Sequence, residues 1–92
     1  MTDRELLAEY ARSGSERAFA EIVARHSAMV YSACLRVLGD PAAAEDAVQA
    51  AFLVLVRKAR GVDGSALAGW LFRTAERSAR EVRRARYRRA RH

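Results

Sequence analysis

Cysteine and proline each occur once in this 92-residue chain, and glycine five times. A lone Cys34 excludes an internal disulfide and suits a reducing compartment. So few breakers, beside 51% hydrophobic and 30% charged residues, give the composition of a helical globular chain rather than a disordered one. No run approaches the roughly 18–20 apolar residues of a membrane span. The opening "MTDRELLAEY" is charged from Asp3 onward, so no secretory signal is expected there. A cytoplasmic location follows as an expectation. Constellations that carry catalysis are also missing. The two histidines, His26 and His92, have no metal-ligand spacing to a cysteine or an acid. There is no glycine-rich phosphate loop and no nucleophile elbow. Glu45 and Asp46 are adjacent, so on a helix they diverge by about 100° and form no acid–base pair. We therefore expect no enzyme, no catalytic residues, no metal and no cofactor. His26, on the apolar side of the second helix, reads as a satisfied core or boundary histidine and Cys34 as inert packing.

Acidic residues run out toward the C-terminal end, while basic ones accumulate. The chain carries +6 overall. Residues 73–92 hold nine arginines against Glu76 and Glu81, a balance of +7; residues 1–72 hold eight basic against nine acidic residues, a balance of −1. That asymmetry points to a polyanionic partner for the last fifth of the chain.

The pattern predicts an all-α fold: a compact bundle of about four helices, the last long and basic. The chain is long enough for one domain with a thin core. Its core is expected over residues 2–82, followed by a basic, frayed tail, 83–92, into which the last helix dissolves after Val82. Thr2 with Glu5 is a capping-box pattern, and Gly14 stops the first helix. Ser15 opens the second, whose apolar positions Phe19, Ile22, Val23, Met29, Val30, Ala33, Val37 and Leu38 keep three-and-four spacing. In "GDP", Gly39 ends it, Asp40 caps, and Pro41 begins the third, over 41–60. Ser65 is the expected cap of the fourth. Phe19, Ile22, Val30, Val37, Val48, Phe52, Leu55 and Leu71 are the expected core. No strand, repeat or linker is visible.

Two surfaces stand out. In "EDAVQAAFLVLVRKA", Ala44, Val48, Ala51, Phe52, Leu55 and Ala59 share the core side, whereas Asp46, Gln49, Ala50, Leu53 and Arg57 share the opposite one. Leu53 is thus an apolar residue on a polar face. It is either one ordinary exposed leucine or the anchor of a partner-helix contact framed by Asp46, Gln49 and Arg57. In the fourth helix, Arg73, Arg77, Arg80, Arg84, Arg88 and Arg91 follow at intervals of three or four. They form a stripe about 27 Å long at about 1.5 Å per residue. Arginine suits bidentate phosphate contact, and the interleaved Trp70, Phe72 and Tyr87 could stack on bases. Arg73, Arg77 and Arg80 point to nucleic acid. Residues 86–92 fit a solvated or frayed basic tail better than a nucleic-acid contact, and Trp70 and Leu71 fit core positions.

With these residues in view, the chain resembles region 2 of bacterial sigma factors of the extracytoplasmic-function group. "ERAFAEIVARHSAMVYSACLRVLGDPAAAEDAVQAAF", "GSALAGWLFRTA" and "RRARYRR" carry the resemblance in the family's order, with "GDPAAAEDAVQ" the most specific piece. The resemblance implies a transcription initiation domain. Its third helix would dock on the clamp coiled coil of the largest subunit of core RNA polymerase, with Asp46 and Gln49 matching the family's acid and amide and Leu53 and Arg57 beside them. It implies that loop 62–68, Ser65 included, and then Trp70, Arg73, Thr74 and Arg77 recognise and melt the promoter −10 element, holding a flipped base of the non-template strand. Arg80 and Arg84 continue that DNA-binding surface. An anti-sigma factor is a further candidate partner; a membrane is not. Two departures are visible. Ala50 stands where the family often carries an acid, and Arg77 where an asparagine is common, so both the polymerase contact and the −10 preference are expected to be tuned differently. No helix-turn-helix domain of the kind that reads a −35 element is present in the 92 residues, and weak binding without efficient transcription is expected of this part alone. The alternative is a small helical protein–protein adaptor whose Arg-rich tail grips RNA or acidic surfaces nonspecifically.

Overall fold

Helix starts in this chain are set by side-chain oxygens that satisfy the free backbone N–H groups of a first turn. The computed structural model describes residues 1–91; His92, the last residue of the expected tail, lies outside them. Helix α1 spans Asp3–Ser13. Thr2 Oγ1 accepts from the Glu5 N–H at 3.1 Å while Glu5 Oε1 accepts from the Thr2 N–H at 2.8 Å, a closed capping box. Helix α2 spans Glu16–Leu38, and Ser15 Oγ accepts from the Ala18 N–H at 3.1 Å. Helix α3 spans Pro41–Lys58, and Asp40 Oδ2 accepts from the Ala43 N–H at 2.9 Å. Gly14 and Gly39, each at φ +68°, close α1 and α2 in the left-handed conformation that other residues resist. Two 3-10 turns, Ala59–Gly61 and Gly64–Ala66, lead into α4, Leu67–Ala90. No strand occurs among the described residues, and none of their helices is long and apolar enough to cross a membrane.

Helices α2, α3 and α4 pack on one another pairwise, and α1 lies across α2 and both 3-10 turns. Of the expected core, Ile22, Val30, Phe52, Leu55 and Leu71 are buried, while Phe19, Val37 and Val48 pack half-buried at its margin. Alanines fill the centre instead: Ala44, Ala47, Ala51 and Ala75 are at most 0% exposed, which brings the α3 and α4 backbones close. An aromatic series joins three helices. Tyr10 meets Phe19 at 4.8 Å between ring centroids, and Phe19 meets Phe52 edge-on at 6.3 Å.

Two expectations need correction. Ser65 does not cap the last helix. Its hydroxyl donates to Asp63 Oδ1 at 2.7 Å and its N–H donates to the same oxygen at 3.0 Å, so Asp63 caps the short turn, and α4 begins at Leu67 with Ala66 at its N-cap and no side-chain cap. Nor does the last helix dissolve after Val82: α4 runs unbroken to Ala90. Beyond Ala79 no residue of α4 is buried, so its distal half projects from the bundle and stretches the molecule to 45 × 20 × 19 Å. Arg86 Nη1 reaches back to Asp40 Oδ2 at 3.2 Å, and the Arg91 guanidinium lies 5.5 Å from the Tyr87 ring centre. Exposed contacts of this kind contribute at most about 1 kcal/mol each.

Candidate functional site

The buried stripe of α4 consists of Leu67, Leu71, Thr74, Ala75, Ser78 and Ala79. Arginines three or four positions apart, and out of phase with that stripe, must face away from it. Arg73, Arg77, Arg80, Arg84, Arg88 and Arg91 are all exposed, as expected of a stripe. Thr74 is the exception among the expected DNA-contacting residues. It is 3% exposed, because one step of about 100° beyond Arg73 turns it into the packing layer. Thr74 is therefore a packing residue in this fold and offers DNA no surface.

Trp70 stands at the head of the stripe and is half-buried against the core. Its other flank lines an open groove between the end of α1 and the turn after α3. Tyr10, Arg12, Arg57, Lys58, Arg60 and Trp70 contribute to that groove. Aromatic rings set among cations are the combination that stacks unpaired bases while holding their phosphates. Sequence reasoning missed Tyr10, Arg12 and Arg60, since only the tertiary fold lays α1 beside residues 57–62. Ser65 is exposed in the adjoining loop. The capping role of Asp63, inside the expected loop 62–68, was missed as well, although "DGS" carries the signal of a carboxylate accepting from backbone two residues on. Ser65's hydroxyl, then its N–H, holds the Asp63 carboxyl below the ordinary carboxylate range.

On α3, Asp46, Gln49, Leu53 and Arg57 are exposed together, as their spacing requires. Leu53 is 55% exposed, and Val56, three residues on, is 42% exposed. The apolar centre of this face is thus a pair rather than one leucine. Val56 was legible only from its i+3 relation to Leu53. Val56 also lines the groove beside Trp70, so the α3 face and the groove share an edge.

The remaining reactive groups are occupied structurally. His26 Nε2 lies 2.9 Å from Asp3 Oδ2, beside the Arg25–Asp3 pair at 3.4 Å, which makes it the boundary histidine its position suggested. Cys34 is buried with its Sγ 3.6 Å from the Ala75 carbonyl, and burial pushes its thiol pKa up. Among the described residues no cluster of three or more His, Cys, Asp or Glu is placed to hold a metal.

Residues 22–90 match the family model described as Sigma-70 region 2. Over 72 residues, 77% of this chain, the sequence is 35% identical to the RNA polymerase sigma factor CarQ of Myxococcus xanthus. The chain spans 41% of the length of that curated relative. No solved structure matches.

Proposed function

The chain belongs to the sigma-70 region 2 family of transcription initiation factors, and from that premise we propose that it docks on core RNA polymerase through α3 and engages the promoter −10 element through the groove, the following loop and α4. The polymerase contact is assigned to Asp46, Gln49, Leu53, Val56 and Arg57, facing the clamp coiled coil of the largest subunit. A helix that buries an apolar pair inside a polar frame is suited to a partner helix. Two exposed apolar side chains on one otherwise polar face support the reading, where a lone leucine would not.

On the DNA side, Trp70, Arg73 and Arg77, with Ser65 in the loop, take the non-template strand of the −10 element. Arg80 and Arg84 hold phosphates farther along. Extruding a base costs a few kcal/mol, and stacking on an aromatic ring recovers about 1–3 kcal/mol. The groove supplies rings and cations side by side for this exchange. The same two surfaces are those an anti-sigma factor would have to cover, and these partners place the domain in the cytoplasm.

The observation that carries the reading is the coincidence of the family match over residues 22–90 with an unpartnered Leu53–Val56 face. Asp46→Arg and Leu53→Asp are expected to abolish retention of core polymerase by the immobilised protein. Stability should move by no more than about 0.5 kcal/mol, as for other surface changes. If both variants fold and still retain polymerase like the parent, the docking assignment fails and Leu53 is merely an exposed leucine; a parent chain that retains no polymerase favours the adaptor alternative.

A further inference from the structure

Helix α1 lies outside the segment that matches the family model, yet its first turn touches both α2 and the loop that precedes α4. Asp3 faces α2, with Oδ2 2.9 Å from His26 Nε2 and Oδ1 3.4 Å from Arg25 Nη1. Arg4, the next residue, faces the loop. A Cβ built on Gly64 would lie 2.7 Å from the Arg4 Cα. That neighbour is backbone, so no side-chain rotation relieves the approach, and only glycine fits. Three residues earlier, Gly61 has no atom within 4 Å of the corresponding position. The loop is therefore pressed on α1 at one point and open at the other. Given that residues 59–66 belong to the DNA-reading surface proposed above, we infer that the first turn of α1 is a bracket that sets the loop's position. In this assignment Asp3 and Gly64 are positioning residues for −10 recognition and touch no DNA themselves.

The geometry supports this over simple packing because the bracket is anchored at both ends. The Thr2–Glu5 capping box fixes the first turn of α1. Asp3 ties that turn to α2, and the Arg4 backbone meets the loop between Asp63, which caps it, and Ser65, which is exposed. A shift of the loop away from α1 moves Ser65 and the start of α4 relative to the groove.

The test pairs two alanine substitutions in one loop, with the intact chain as reference. Gly64→Ala must displace the loop; Gly61→Ala meets open space. The readouts are amide hydrogen exchange at residues 59–66, retention of core polymerase, and the affinity ratio for −10-like over scrambled single-stranded DNA. Gly64→Ala is expected to speed exchange in the loop and to lower the ratio about tenfold, the scale of one mismatched position, with polymerase retention unchanged. Gly61→Ala is the control for exchange alone and is expected to leave it unchanged across the loop. Asp3→Ala, which leaves the loop's own sequence intact, is expected to follow Gly64→Ala more weakly. Unchanged exchange in Gly64→Ala overturns the bracket, and so does faster exchange with an unchanged ratio. A parent chain that shows no sequence preference at all sinks the DNA reading instead, and the exchange result still decides whether α1 holds the loop.

Discussion

Arg73 and Thr74 are neighbours in sequence, yet one is exposed and the other is packed away at 3% exposure. Sequence resemblance assigns both to DNA; helical geometry allows it only for the first. Burial also separates Cys34 from any chemistry. With its thiol pushed up by burial, the thiolate is scarce, and the thiol is expected to stay unlabelled by an alkylating reagent in the native protein and to react once denaturant unfolds it. Labelling at equal rates in both states would contradict its place between α2 and α4. Phe52 is the largest side chain that α3 contributes to the core, so Phe52→Ala is expected to cost about 3–5 kcal/mol through lost burial and the cavity left behind. In a domain this small that is a large part of total stability. Denaturant titration followed by circular dichroism measures it. Phe52's inward position was legible from its spacing to Val48 and Leu55. Thr74's was not, because a motif match carries residue identities without their exposure.

Each helix start that was read correctly rests on a contact within four residues, as with Thr2 and Glu5, Ser15 and Ala18, or Asp40 and Ala43. The start of α4 was misread because Asp63 outcompetes Ser65 for the same local role, a carboxylate being the stronger acceptor. The Asp63 carboxyl is lower in the folded chain than in the unfolded one. Its contribution is therefore present above the unfolded value and lost as pH falls through the folded value. The Ser65 amide resonance is expected to stay constant through neutral pH and to move only in acid, below the usual carboxylate range; movement near neutrality would contradict the turn. Along α4 the continuous helix separates two roles. Arg80→Ala and Arg84→Ala are expected to weaken binding alike for every sequence and to lower the log–log salt slope by about 0.9 on duplex or about 0.7 on single strands. Trp70→Ala is expected to change the preference among −10-like sequences with the slope nearly intact. Loss of affinity without loss of preference would make Trp70 a core residue only. The docking of α1 on residues 59–66 had no local signal at all, since Arg4 and Gly64 are joined only by the tertiary fold.

For the whole molecule, capping signals and three-and-four spacing were enough to read four helices and one apolar core. They did not reveal how much of that core is alanine, because small residues weigh little in a hydrophobic pattern and count only once backbones approach. Nor did they show that α4 leaves the bundle as a continuous helical arm, which gives the excess of positive charge a defined direction. The molecule joins an apolar-centred face on α3, a groove of rings and cations, and an arginine stripe, two of them sharing Val56 at their edge. The most direct test of this arrangement is to mix core RNA polymerase with the chain and a pool of random single-stranded DNA. The retained strands are then sequenced at two salt concentrations. The account predicts that polymerase with the chain enriches one −10-like sequence, that polymerase alone does not, and that the enriched sequence persists as salt weakens overall binding. Retention of strands without any shared sequence, and equally without polymerase, would contradict it and leave the arginine stripe a nonspecific polyanion grip.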